Sequence, residues 1–195
     1  MNNNIISSSP ASVADIDIRD YAYDYQSGHP AVYVGTYGKY NNGSIDGMWF
    51  DLTAFADYAE FVQACHALHS DEDDPELMFQ DFENFPKQWY DEGSLDEDTF
   101  ERIQQFAELN STLQDAFEAF MEITCDNGAD FEDFEDRYEG EFNTEKEFAE
   151  HIVYDCGLLD GIPESIQRYF DYDAYARDLF ITDYTMIDGF VFRSC

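Results

Sequence analysis

The side chains best suited to metal chemistry are one cysteine and two histidines close together in the sequence. Cys65 and His69 would share one side of a helix with His66 beside them, because residues four apart lie on the same face. A structural zinc site needs four ligands, and the other cysteines, at positions 125, 156 and 195, are distant. We therefore interpret Cys65 as a core residue and predict no metal site.

Calcium is the stronger metal alternative, since hard cations prefer carboxylate oxygens. The sequence DNGADFEDFED supplies them, but an EF-hand loop places its glycine five positions after its first aspartate, and Gly128 follows Asp126 by two. Phe131 and Phe134 also have helical spacing instead of ligand spacing. Weak cation binding by the acidic surface as a whole stays open as an alternative.

Catalytic motifs are missing from the sequence, which contains no GxSxG, GxxxxGK[ST] or HExxH. A hydrolase could use two carboxylates, but acidic residues are so abundant that no pair stands out. The prediction is that the protein is not an enzyme and uses no cofactor. A carboxylate-dependent hydrolase is kept as a further alternative.

Net charge is the strongest signal in the sequence. The chain has 9 Lys and Arg against 44 Asp and Glu, so 9 − 44 gives −35. This sign argues against direct binding to nucleic acid or an anionic membrane surface, since both attract cations. The 18 Phe, 14 Tyr and 2 Trp supply a core that disordered acidic chains lack. Halophilic adaptation and a solvated acidic face are the unspecific explanations of the charge.

Targeting segments are not apparent. No run approaches the roughly 20 apolar residues that span a bilayer, and residues 1–10 are polar without a basic start. We expect a cytoplasmic protein with reduced cysteines, since the four cysteines form no CxxC pair.

The N-terminal third has a strand, strand, helix pattern after an extension at residues 1–30, which is interpreted as disordered or as an added edge strand. AVYVGTY from Ala31 predicts a strand, and MWFDL predicts a second strand that is joined to it as a β-hairpin or a longer β-loop-β. Thr53 is predicted to cap a helix with Phe61 and Cys65 inward, and DPELMFQDFENFP to form turn and strand. Trp49 is predicted to be core. Tyr33, Tyr37 and Tyr40 are left between core and surface, and five residues are interpreted as holding the turn: Asn41, Asn42, Gly43, Ser44 and Gly47.

The middle of the chain predicts two helices. Ser94 with Glu97 has the spacing of a capping box, and Ser111 is predicted to cap the second helix. The apolar stripe of that second helix leaves Asp115, Glu118 and Glu122 together on the opposite face, although like charges at this spacing cost a few tenths of a kcal/mol per pair. A role beyond stability is indicated for them.

The C-terminal third predicts a helix opened by a capping box at Thr144 and Glu147, with Phe148, Ile152 and Cys156 inward. A long helix is predicted from Pro163, followed by a hairpin at Asp188-Gly189. The fold class is α+β, with mixed short antiparallel sheets and helices. The predicted domains are residues 31–92, with strands and a helix, a helical middle domain at 93–128, and 129–195, which carries the dimer contact.

The segment AVYVGTYGKYNNGSIDGMWFDL resembles the N-terminal signature of the ArdA family of antirestriction proteins. DPELMFQDFENFP, EDFEDRYEGEF, KEFAEHIV, YFDYDAYARDL and GFVF resemble the same family in the same order. The resemblance covers residues 31–195, and residues 1–30 inherit nothing from it.

This resemblance implies an elongated chain of about three small α/β domains that dimerises through its C-terminal part. It also implies a mimic of bent B-form DNA that inhibits type I restriction-modification enzymes by occupying the DNA-binding groove of their specificity and methyltransferase subunits. On resemblance, YFDYDAYARDL is the antirestriction motif near the dimer contact. The residues carried over are Tyr169, Asp173, Tyr175, Ala176, Arg177, Asp178 and Leu179.

The charge gives this hypothesis a physical basis. Duplex DNA carries one charge per about 1.7 Å of axis, so 35 charges correspond to roughly 60 Å of duplex, whereas a compact globule of this length is about 40 Å across. Residues 96–150 alone hold 19 acids against 3 bases. The predicted phosphate-like carboxylates are Asp115, Glu118, Glu122, Asp126, Glu132, Asp133, Glu135, Asp136 and Glu139. Each of these carboxylates alone is expected to contribute little to binding, since a single exposed charge is usually worth little.

Overall fold

The computed structural model describes residues 16–126 and 129–194. Its internal contacts divide the chain into two compact units, with the boundary between Asn110 and Ser111. This boundary falls within residues 93–128, which the sequence assigns to one domain, and the division into three domains stays a prediction.

The first unit is built on an antiparallel sheet of three strands in the order β2-β1-β3. The strands are β1 (Ala31–Thr36), β2 (Met48–Asp51) and β3 (Leu77–Glu83). All three confirm the strand predictions, and β1 pairs with both neighbours. The connection from β1 to β2 is more than a turn, since it begins with the short helix α1 (Tyr37–Asn41).

Two helices accompany this sheet, α2 (Tyr58–Leu68) and α3 (Glu97–Glu108). The caps predicted for these two helices were wrong, whereas the cap predicted at Thr144 in the second unit is confirmed. Asp57 caps α2, while Thr53 belongs to a 3-10 helix at Leu52–Ala54, and Asp96 caps α3 in place of Ser94. The physical reason is that an aspartate accepts the same backbone N–H bonds as a hydroxyl and adds a negative charge that the helix N-terminus favours.

Aromatic side chains fill the core of the first unit. Phe50, Phe61 and Phe100 are fully buried together with Cys65 and Ile103. The rings of Phe61 and Phe100 stack with their centroids 5.3 Å apart.

Trp49 is not part of this core and is partly exposed, which corrects the prediction. It alternates with the buried Phe50 along β2 and therefore lies on the other face of the sheet.

The second unit holds five helices and three strands within its described residues. The helices are α4 (Ser111–Thr124), α5 (Phe131–Arg137), α6 (Glu145–Asp155), α7 (Glu164–Gln167) and α8 (Tyr172–Thr182). The strands β4 (Tyr138–Glu141), β5 (Tyr184–Ile187) and β6 (Phe190–Arg193) form an antiparallel sheet in the order β4-β6-β5. The predicted hairpin is confirmed, with positive φ at both Asp188 and Gly189 as a tight turn requires.

Three details of the second unit differ from the predictions. Ser111 is the first residue of α4. The helix expected from Pro163 is two helices, because Asp171 interrupts it and caps α8 through the backbone N–H of Ala174. Cys156 is exposed at the end of α6, and Val153 takes the buried place, because α6 ends before Cys156 can turn inward.

The α+β class is confirmed by these helices and the two three-stranded antiparallel sheets. Among the described residues, no helix has both the length and the apolar character that a bilayer span requires.

Candidate functional site

The predicted carboxylates cluster in the first part of the second unit. Asp115, Glu118 and Glu122 lie on α4, and Glu139 lies on β4. Asp126 follows α4, and α5 carries Glu132, Asp133, Glu135 and Asp136. All are exposed except Glu139, which is half-buried.

The packing of the helices explains this exposure. Ala116, Phe117 and Phe120 bury one face of α4, and Phe134 buries one face of α5. The ring centroids of Phe117 and Phe134 are 5.2 Å apart. Because apolar residues hold the inner faces, the acidic residues between them point to solvent.

Three of these carboxylates line a groove of about 420 Å³. Asp115, Glu118 and Glu122 form one side, and Asp188 from the β5–β6 turn joins them. Although the Glu118 side chain is exposed, partial loss of water around its carboxyl in the groove, and then repulsion by Asp115 and Glu122, raises its pKa. Asp188 was not among the predicted carboxylates, because only the folded sheet brings its turn beside α4 and its Asp-Gly pattern indicates a turn alone.

Two arginines neutralise part of the acidic surface. Arg137 lies 3.2 Å from Asp133, and Arg193 pairs with Glu139. The Arg137 guanidinium also lies over the Phe120 ring, 4.9 Å from its centroid. In the part of the chain that the structure describes, six of the predicted carboxylates form no ion pair: Asp115, Glu118, Glu122, Glu132, Glu135 and Asp136.

The residues that the family resemblance predicts as an antirestriction motif separate into two groups. Ala176 and Leu179 belong to the core cluster with Phe148, and Tyr175 is half-buried. The other four are exposed: Tyr169, Asp173, Arg177 and Asp178. Asp173 accepts a hydrogen bond of 2.8 Å from Lys146. The motif therefore contains side chains that stabilise α8 as well as side chains that a partner could contact.

Five large apolar side chains are exposed on α6, on α7 and in the segments beside α7: Tyr154, Leu158, Ile162, Ile166 and Tyr169. Tyr154 is 86% exposed and Tyr169 is 78% exposed. A groove of about 610 Å³ opens beside Tyr154, and Val153, Leu159 and Tyr172 also line it. Exposed large apolar side chains that adjoin such a groove are typical of interaction surfaces.

The residues first considered for zinc separate in the fold. Cys65 faces the core, where burial strongly raises the pKa of its thiol, and His66 is exposed. His69 instead comes within 4.8 Å of Asp71 and Glu72. The Lys39 ammonium lies in this cluster, 3.0 Å from His69 Nδ1 and 2.9 Å from Asp71, so a cation from the chain itself occupies the position.

The fold and the surface together define an acidic α+β protein whose main chemical feature is exposed, unpaired carboxylates. A family model described as "Antirestriction protein (ArdA)" matches residues 32–192. The chain belongs to this family, and its function is antirestriction. A search of curated proteins found no match to the chain.

Proposed function

We propose that this protein mimics B-form DNA and inhibits type I restriction-modification enzymes by occupying the DNA-binding groove of their specificity and methyltransferase subunits. The observation that carries the proposal is the set of exposed carboxylates without ion pairs on α4 and α5. A DNA-binding groove is lined with cations that neutralise phosphates, so it attracts a surface of this charge. The membership in an antirestriction family points to the same partner.

The mechanism is electrostatic competition. Both DNA and this chain, with its net charge of −35, hold counterions that are released when cations of the enzyme replace them. Association is therefore fast at low salt and weakens as salt rises. No covalent step is involved, and the site of action is the cytoplasm.

The proposed active form is a homodimer. The exposed apolar side chains between Tyr154 and Tyr169 support it, since five of them are large. Burying them against a second copy would remove apolar area from water, and the dimer would offer twice as many carboxylates to the enzyme.

The test is a competition experiment with a type I methyltransferase core bound to labelled cognate DNA. Wild-type protein is expected to displace the DNA stoichiometrically, and less effectively at higher salt. DNA that stays bound under all conditions, with the protein folded and dimeric, would overturn the proposal.

Variants that neutralise carboxylates on α4 test whether this helix contacts the enzyme. The triple change Asp115→Asn, Glu118→Gln and Glu122→Gln should weaken displacement by about tenfold and reduce its salt dependence, whereas each single change should stay within about twofold. The matched control removes three exposed acids from the first unit: Asp73→Asn, Asp74→Asn and Glu76→Gln. Equal losses for both triples would show that only net charge matters.

The second candidate is an acidic cation-binding or scaffold protein. The groove lined by four carboxylates favours it, because a concave acidic surface attracts cations. Specific calcium binding would raise the melting temperature beyond the effect of other salts at equal ionic strength.

A further inference from the structure

The outer face of the first sheet carries a row of large polar and aromatic side chains. In the antiparallel register, Tyr33 on β1 pairs with Trp49 on β2 and with Asp81 on β3. Residues paired in this way point to the same face of a sheet. The opposite face carries Val32, which is buried with the core.

The segment before β1 adds a further ring to this face. Ala22 forms a bridge to Phe50, and the backbone N–H of Tyr23 donates to the Trp49 carbonyl at 3.1 Å. Tyr25 follows, and its ring lies edge-on to Trp49 at 6.2 Å between centroids. The ring of Trp49 lies 5.7 Å from that of Tyr33. We call Tyr25, Tyr33 and Trp49 the aromatic platform.

A buried tyrosine and a hydrogen bond hold the aromatic platform in place. Tyr23 is buried, contacts both Tyr25 and Trp49, and donates its hydroxyl to Glu83 at 2.9 Å. The Tyr33 hydroxyl donates to the Ile45 carbonyl at 2.8 Å. Tyr25 itself is 65% exposed. A preorganised platform loses little conformational freedom when a partner binds.

Carboxylates flank the rings. Asp81 is exposed and forms no ion pair among the described residues, and Asp46 is also exposed, with Lys39 at 3.7 Å. Asp46 directly follows Ile45, whose carbonyl accepts from the Tyr33 hydroxyl, so the chain brings Asp46 near the platform. The pKa of that hydroxyl is raised by burial first and by the charge of Asp46 next. Negative charge beside aromatic faces repels phosphate and favours a cation.

We propose that the aromatic platform binds arginine side chains of the restriction enzyme. This inference rests on the proposed function and adds a second kind of contact to it. A guanidinium is planar and weakly hydrated, so it stacks on tyrosine and tryptophan rings while its N–H groups donate to neighbouring carboxylates. A lysine ammonium gains less from such a surface, because it is a compact and strongly hydrated charge.

The aromatic platform lies partly outside the part of the chain that the family model matches. Tyr25 and Tyr23 precede residues 32–192. The family match therefore does not include Tyr25. If the proposal is correct, the residues just before β1 take part in binding the enzyme.

The first test measures displacement of DNA from the methyltransferase core over a range of salt concentrations. Tyr25→Ala should weaken displacement by about threefold to thirtyfold and leave its salt slope unchanged, because stacking releases no counterions. Tyr25→Phe should retain the wild-type affinity, since the ring makes the contact. The control is Tyr40→Ala, at a tyrosine that is 52% exposed on α1 and outside the aromatic platform. Equal affinities for Tyr25→Ala and the wild type would overturn the inference.

A second test does not depend on the enzyme. Isothermal titration with hexa-arginine and hexa-lysine peptides at equal ionic strength should show a preference for arginine that Tyr25→Ala loses and Tyr40→Ala keeps. The same affinity for both peptides would overturn guanidinium recognition. If wild-type protein fails to displace DNA but keeps the arginine preference, the proposed function fails and the recognition of guanidinium stands. A change of oligomeric state in Tyr25→Ala, seen by light scattering, would assign the aromatic platform to contacts between copies and overturn its role toward the enzyme.

Discussion

Glu118 shows how crowded carboxylates affect the stability of the folded chain. Glu118 has a raised pKa, caused first by burial and then by Asp115 and Glu122. The folded chain therefore binds this proton more tightly than the unfolded chain. At neutral pH the ionised Glu118 therefore destabilises the folded state by its full amount. This destabilisation disappears as the pH falls below the raised pKa of the folded chain and then below 4.5, the ordinary pKa of a glutamate.

Glu118→Gln should accordingly raise the free energy of unfolding at pH 7 by about 0.3 kcal/mol, a small figure because the residue is exposed. Urea unfolding at pH 7 and pH 4 measures it, and the gain should vanish at pH 4. Glu135→Gln on α5 is the control. The prediction is wrong if both variants show the same change at both pH values.

In the first unit, the Lys39 ammonium lies within 4.0 Å of three carboxylates, those of Asp46, Asp71 and Glu72. Its side chain is only 14% exposed, and it donates to Asp71 and to His69 Nδ1. Burial alone would lower its pKa, but the hydrogen bond to Asp71 and the nearby carboxylates together raise it.

Lys39→Met should lower the free energy of unfolding by about 1–2 kcal/mol, because its partners lose their shared donor. Urea unfolding tests this, with Lys146→Met as the control at an exposed ion pair with Asp173. A smaller loss for Lys39→Met than for Lys146→Met would contradict the prediction.

His69 gives the opposite pH dependence to Glu118. The Lys39 ammonium can only donate, so His69 Nδ1 accepts and Nε2 donates to the Val34 carbonyl at 3.3 Å. Burial, and then Lys39, lowers the pKa of the His69 imidazole. The unfolded chain therefore takes up this proton first, and stability falls as the pH drops below 6.5.

The His69→Gln variant should lose this part of the pH dependence, measured by urea unfolding at pH 7.5 and 5.5. His66→Gln on the exposed side of α2 is the control and should keep it. Equal slopes for the wild type and His69→Gln would refute the assignment.

At the scale of elements, the connection from β1 to β2 depends on one close approach. A Cβ at Gly47 would meet the Val34 carbonyl oxygen and would lie 2.9 Å from the Tyr33 ring. Gly43 differs, because its φ is +81° and no atom lies within 4 Å of such a Cβ.

Gly47→Ala should cost about 1–3 kcal/mol through this clash and should move Tyr33 away from Trp49. The measurements are urea unfolding and tryptophan fluorescence. Gly43→Ala should cost roughly 1–2 kcal/mol through backbone strain alone and leave the fluorescence unchanged. An unchanged spectrum in Gly47→Ala would show that the loop moves without disturbing the aromatic platform.

For the whole molecule, the main electrostatic effect is repulsion among its 44 acidic side chains. A chain of net charge −35 should gain stability as salt screens its carboxylates. Raising NaCl from about 0.05 M to 0.5 M should increase the melting temperature by several degrees, and calcium chloride at equal ionic strength should do the same. Thermal unfolding in both salts checks this. A further increase specific to calcium would favour the cation-binding alternative.

Most helices and strands and the charge of the surface could be predicted from the pattern of residues. Alternating β-branched and aromatic residues predicted β1, apolar residues at helical spacing predicted α4, and the Asp188-Gly189 pair predicted the last hairpin. These features are local, because periodicity and turn geometry act over a few residues. Caps were predicted less well, since Asp57 and Asp96 compete with nearby hydroxyl residues for the same role.

The contacts between distant side chains could not be predicted and are known from the folded structure. It joined Asp188 to the acidic groove, placed Lys39 beside His69, and turned Trp49 outward to face Tyr25. These residues come from elements that are separated in the chain, and their contacts depend on strand register and helix packing. A one-residue change of register would turn Trp49 into the core and remove the aromatic platform, without altering the composition from which the charge was calculated.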